Sequence, residues 1–344
     1  MSIESYIRAM PKIELGLQFE GAVPTATWTN LAEMNEIPLR TRQAIPIVKA
    51  LDTPEMGKIE ELYTAISQWV RDPEDLTRLV YDVGVQLAKQ NVKYAELGIT
   101  PTRYLGSEVP FESLMEALSD GRDRAKRGWG IEMAWVFNIP RDEARRADEI
   151  VRSANSPAGR KHGVVAIGLS GNEAGQQLVN YERAFSGAER KGIARVARVG
   201  DHTGANGINE VLEGLLVTRM ITAWPVGGVP ELISKIVEKD VTVDVALSQS
   251  VDMGFVPSIA DYPLKPLIDT GVKVTLTANT PARAGKSTTE QYLSAATAAG
   301  LGANELDALV INALNASGLD DDQKSALSGE IRAQVAKLRA EHLK

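Results

Sequence analysis

The stretch Pro11-Lys12-Ile13-Glu14-Leu15-Gly16-Leu17-Gln18-Phe19-Glu20-Gly21-Ala22 decides the fold. Ile13, Leu15, Leu17 and Phe19 alternate with Glu14, Gly16, Gln18 and Glu20, the two-residue period of a β-strand. The Gly-Ala at its end lets the strand open into a loop. Where parallel strands close into a barrel, their C-terminal ends build the functional site, so Gly16, Gln18 and Glu20 are expected to face it.

Working outward, the strand signal returns after each helical pattern. Val92–Ile99, Ile131–Asn138, Val164–Leu169, Ala194–Val199, Met220–Thr222, Thr242–Leu247 and Val272–Leu276 read as strands. Helical spacing of apolar residues covers Thr25–Glu36, residues 40–72 and 72–90, Phe111–Arg127, Arg141–Ser153, Gln177–Lys191, Gly207–Leu216, Pro230–Lys239 and Pro263–Thr270. Strands separated by helices predict an α/β chain with a parallel sheet, and eight of them predict a single (β/α)8 TIM barrel spanning residues 1–344. Extra helices follow the first strand, and a helical extension is expected over residues 288–344, with breaks at Gly300-Leu301-Gly302 and Gly318-Leu319-Asp320.

Composition narrows the chemistry. The 344 residues carry 38 Lys and Arg against 45 Asp and Glu, a net charge of −7, which favours neither nucleic acid nor an anionic membrane as partner. There is no cysteine, which removes disulfides, thiolate nucleophiles and cysteine-ligated metals. The three histidines are His162, His202 and His342. No apolar run is long enough for a membrane span, and the N-terminus lacks a basic-then-apolar leader, so a cytoplasmic protein is expected. The oligomeric state stays open, a homodimer included.

The chain resembles the adenosine, AMP and adenine deaminase family of metal-dependent hydrolases. Its first strand is similar to the family's P-K-x-E-L-H-x-H-x-E-G, and Tyr94-Ala95-Glu96-Leu97 through Pro101 to Y-A-E-L-R-x-S-P. Val164 through Glu173 is similar to V-V-G-x-x-L-x-G-x-E, and Asp201-His202-Thr203-Gly204-Ala205 to x-H-A-G-E. Val256-Pro257-Ser258 and Val274 through Pro281 resemble V-P-S and V-T-L-N-S-D-D-P. The resemblance implies a barrel in which histidines and an aspartate hold a zinc ion that activates water, while a glutamate protonates the purine.

Carried over position by position, that equipment is largely replaced. The first-strand histidines fall on Gly16 and Gln18, the third on His202, the glutamate on Ala205, the next histidine on Thr222 and the aspartate pair on Asn279 and Thr280. Glu20 matches the acidic residue that contacts the ribose, and Gly171 the glycine that meets the purine. One imidazole cannot hold catalytic zinc, so no metal and no cofactor are expected.

What remains is a neutral, polar pocket. Glu20, His202 and Asp201 are the candidates for acid–base catalysis. Gln18, Gly171, Glu173, Thr222, Trp224, Asn279 and Thr280 are the candidates for binding a small, purine nucleoside-like ligand. Each has a plainer reading: Glu20 contacts only a ligand hydroxyl, His202 fills space, Glu96 pairs with Arg141 or Arg103, Asp201 faces the outer helices, Gly171 and Glu173 shape a turn, and Trp224 packs. The expected function is a metal-independent enzyme on the old scaffold. The alternatives are a non-catalytic binder of a ligand or partner chain and a residual purine deaminase.

Overall fold

The computed structural model describes residues 2–104, 110–173, 177–284 and 286–343. Eight strands lie in sequence order in one sheet: β1 (Lys12–Gln18), β2 (Val92–Ile99), β3 (Glu132–Pro140), β4 (Val164–Ser170), β5 (Ala194–Arg198), β6 (Arg219–Thr222), β7 (Thr242–Val245) and β8 (Val274–Leu276). Neighbours pair in parallel throughout. Helices cover the outside, as parallel strands buried on both faces require. The barrel closes where Gln18 N–H donates to Asn279 O at 2.8 Å. The buried Glu14 carboxylate seals the same seam, accepting from Ala278 N–H at 3.0 Å and Thr288 Oγ1 at 2.8 Å.

The barrel interior is layered. Val136, Ala166, Val196 and Ile221 form an apolar cluster apart from the main core. Towards the strand starts lies a buried ion cluster in which Arg219 meets Glu96 at 2.6 Å and Asp244 at 3.0 Å. Gly318 N–H donates to Glu96 at 2.7 Å, so the turn between the last two helices covers that end. Glu96 therefore pairs with Arg219, and neither Arg141 nor Arg103 is its partner. An unpaired charge here would be costly, which is why the three groups sit together.

Two departures from simple periodicity matter for the site. β1 stops at Gln18, and Phe19–Ala22 is a helical turn, so Glu20 is presented by a helix and not by strand alternation. The pairing of β1 with β2 also shifts register between Glu14 and Leu17. Such a bulge resets which side chains face in. As a result Leu15 and Leu17 join Gln18 around the interior, while the place of a Cβ on Gly16 is filled by Thr277 Oγ1, 2.7 Å away.

The helical span over 40–72 is broken into Ala44–Asp52, a tight turn Met56–Lys58 and Ile59–Ser67. Pro54 accounts for the break, since it donates no N–H and disfavours helix at the residue before it. The lead-in is itself a helix, Ile3–Ala9, capped by Ser2. The extension consists of Thr288–Thr297, Ala303–Ala316 and Asp321–His342, the last capped by Asp320 as its acidic start implies. No helix among the described residues is long and apolar enough to cross a membrane.

Candidate active site

The mouth of the barrel is organised by Arg198, the last residue of β5. Its guanidinium donates to Asp201 Oδ2 at 2.6 Å and to Asn279 Oδ1 at 2.8 Å, tying β5 to the end of β8. The side chain is 11% exposed and borders both the interior cavity and the cavity at the mouth. Burial disfavours its charge, but Asp201 and Glu60, with the Asp201 hydrogen bond, together outweigh that penalty and raise its pKa. Asp201 also accepts from Ala223 N–H at 3.2 Å, so both its oxygens are engaged and it faces the mouth and not the outer helices.

Glu173 builds the platform below Asp201. Its carboxylate accepts from Gly200 N–H at 3.1 Å, Asp201 N–H at 2.9 Å, Thr203 N–H at 3.2 Å and the Thr203 hydroxyl. Those bonds use its acceptor capacity on the β5 loop, so it positions Asp201. Gly171 turns with φ +92°, and a Cβ there would lie 3.2 Å from Arg141 N. Arg141 donates to the carbonyls of Gly171 at 3.2 Å and Arg198 at 2.7 Å.

The fixed loop leaves His202 exposed at the rim of the mouth cavity. Sequence reading placed it at the centre; the structure puts Arg198 there instead, because β5 ends four residues earlier. Thr222, last in β6, is buried and accepts from Trp224 N–H at 3.0 Å. The Trp224 ring packs against Gly204, with Nε1 3.4 Å from where its Cβ would be, and so fills space on the outer side of the loop.

Across the mouth, Glu20 is fully buried and accepts from Tyr104 OH at 2.9 Å and Arg103 at 3.3 Å through one oxygen. Its other oxygen has no hydrogen-bond partner among the described residues, and the same holds for Tyr63 OH, Asn279 Nδ2 and Thr280 Oγ1. Tyr63 OH and Thr280 approach one point, since a Cβ on Gly21 would lie 2.3 Å from the first and 2.9 Å from the second. Burial pushes the Tyr63 hydroxyl well above the usual phenol range, so it stays protonated as a donor. Buried orphan groups are rare in folded proteins, and several together mark a place where a ligand completes the bonding. Asn279 adds strain, at φ 53°. Gln18 accepts from Asn138 Nδ2 at 3.4 Å, a bond weak enough for a ligand to displace.

With this geometry in view, the family assignment rests on a match to the adenosine deaminase model over residues 11–334. The chain belongs to the adenosine deaminase family. An aminodeoxyfutalosine deaminase of Streptomyces avermitilis is 27% identical over 335 residues, covering 97% of this chain and 94% of its own length. A zinc-bound amidohydrolase of Burkholderia ambifaria superposes with a TM-score of 0.87 at 22% identity over 99% of this chain and 95% of its own, which shows the shared barrel. An Arabidopsis ADAL protein in complex with IMP has a TM-score of 0.83 at 22% identity over 97% of this chain and 99% of its own.

Among the described residues of this family member, no three His, Asp or Glu side chains stand close enough together to hold a metal ion. The mouth offers an amide from Gln18, a hydroxyl from Thr222, an amide from Asn279 and the Arg198 guanidinium. Arg198-Val199-Gly200-Asp201 has the spacing of the family's H-A-G-E, with glycine on glycine and an acid on the glutamate. His202-Thr203-Gly204-Ala205 has the same spacing, with histidine on histidine and glycine on glycine but no acid, and it lies beyond the end of β5.

Proposed function

We propose that the mouth of this barrel works without zinc, with the Arg198 guanidinium as its fixed positive charge, and acts by acid–base chemistry on a small polar metabolite. The observation that carries the proposal is the pair of bonds from Arg198 to Asp201 and Asn279. Two of the positions matched to the family's ligands, Gln18 and Asn279, and Thr222, matched to the family's next histidine, lie at or just past strand ends. Arg198 is the corresponding residue of β5. A cation lodged among them repels a dication, and neutral amides and hydroxyls do not compensate. The filled space beside Gly16 supports the same reading.

Arginine stays protonated, so Arg198 stabilises negative charge and moves no proton. Glu20 is the proton-transfer group, because one of its buried oxygens has no hydrogen-bond partner among the described residues. Asn279, Thr280 and Tyr63 orient the ligand with their unused donors. Asp201 holds Arg198 in place, and His202 lies too far out to act on a ligand held there. The relative that deaminates aminodeoxyfutalosine and the one that binds IMP support a nucleoside-like ligand. The mouth cavity of about 80 Å³ is far below the ~300–1,000 Å³ of ordinary ligand sites, so such a ligand enters only if Met56–Glu61 moves aside.

A second reading, a non-catalytic binder, is favoured by one observation: both oxygens of Asp201 and one of Glu20 are already taken. Thermal-shift screening of nucleosides and amino-acid metabolites identifies the ligand, and turnover is then measured with Glu20→Gln. The enzyme reading predicts a kcat at least about a hundredfold lower with the fold intact. An unchanged rate rejects Glu20, and binding without turnover in the native chain gives the second reading.

A further inference from the structure

The mouth is closed by a carboxylate that the protein itself supplies. Glu60 stands in the first turn of the helix Ile59–Ser67, outside the barrel strands. It forms an ion pair with Arg103, whose other arm meets Glu20 at 3.3 Å. Together with Arg198 and Asp201 it lines the mouth cavity. Asp201 first and Glu60 second stabilise the buried Arg198 charge against desolvation. Glu60 thus pairs with the Arg103 guanidinium and lines the same cavity as that of Arg198.

Its position differs from that of the other carboxylates. Glu20 is 0% exposed at the side chain and Asp201 5%, and both are held at strand ends. Glu60 is 26% exposed and arrives on the segment that roofs the cavity. Behind that segment runs an open groove of about 570 Å³, bordered by Ile47, Thr53, Pro54, Leu62 and Ala65, which gives it room to pivot. Removing Glu60 from the mouth leaves Arg103, like Arg198, with one carboxylate among the described residues, where the nearby Arg141 donates to carbonyl oxygens.

We infer that Glu60 keeps the place of the ligand's own anionic group: a small metabolite bearing a carboxylate or a phosphate monoester binds by displacing the Glu60 carboxylate from Arg103, on the cavity that Arg198 also lines, as Met56–Glu61 swings outward. Arginine forks match the geometry of either anion. The small closed cavity is then the unliganded state. The inference rests on the zinc-free reading of the mouth.

Inorganic phosphate and acetate are titrated into the full-length chain at constant ionic strength, comparing the native protein with Glu60→Gln. The variant is expected to bind one of the two about tenfold tighter or better, and an added Arg103→Gln is expected to abolish the gain. Phosphate alone identifies a phosphate monoester and acetate alone a carboxylate. Equal affinity in native protein and variant overturns the inference. In the native chain, saturating anion is expected to raise amide exchange over residues 56–67, and unchanged exchange overturns it as well, whether or not the variant folds. Zinc is measured on the same samples: a bound equivalent defeats the zinc-free reading, while the anion titration judges Glu60 separately.

Discussion

At Gly16 the backbone of β1 runs so close to Thr277 that a Cβ would stand 2.7 Å from its hydroxyl oxygen and 2.9 Å from its Cβ. Gly16→Ala is therefore expected to destabilise the chain by about 1–3 kcal/mol in urea unfolding, the usual cost of overpacking a core. A neutral result would mean that the seam yields and that a side chain at residue 16 is not sterically barred. Glu173 supplies a second case. Its charge accepts three backbone N–H groups and a hydroxyl, so Glu173→Gln is expected to lose roughly 1.5–3 kcal/mol by the same measurement. Neither effect is visible in residue type. Glu173 looks like a ligand contact in sequence because a carboxylate near a strand end usually is one, and only the fold shows that backbone donors have claimed it. Arg198 was not singled out because a histidine four residues on carries the same glycine spacing, and only the end of β5 brings the arginine to the mouth.

At the scale of elements, sequence pattern served well where packing and propensity agree. All eight strands were legible from short β-rich or alternating segments recurring between helical patterns, although β5, with two arginines, is only partly buried. The ends of β1 were not, because a bulge and a helical turn follow tertiary contacts with β2 and β8 that periodicity cannot register. Residues 40–72 were read as helical throughout, and Pro54 divides them; that division creates the roof over the mouth. The last helix, Asp321–His342, contributes a single buried residue, Ile331, besides bonds from Arg339 to Asp307 and from His342 to Ser5 at 3.0 Å. Truncation after Asp320 is expected to leave the barrel folded and to cost about 1.5–3 kcal/mol, the worth of one buried aliphatic side chain, as a lowered Tm. Loss of cooperative unfolding would show that the helix is integral to the barrel.

For the whole molecule, the buried Lys12 predicts an unusual pH response. Lys12 is 0% exposed, and among the described residues its ammonium donates to the carbonyls of Met10 at 2.9 Å and Gln90 at 3.1 Å. Desolvation pushes its pKa down to about 7. Below that pH both folded and unfolded states hold the proton. Above it the folded state releases the proton while the unfolded state keeps it up to about pH 10.4, so stability rises with pH across this window by up to about 1.4 kcal/mol per unit. Lys12→Met is expected to remove that rise in urea titrations between pH 7 and about 10. Parallel curves for the two proteins would place the charge in contact with water. The larger question is the mouth, where an arginine held by Asp201 and Asn279 ends β5. Elemental analysis of the full-length protein, made in zinc-supplemented medium and purified without chelator, tests this most directly. The account predicts no stoichiometric zinc, and one equivalent retained through dialysis against a chelator would contradict it.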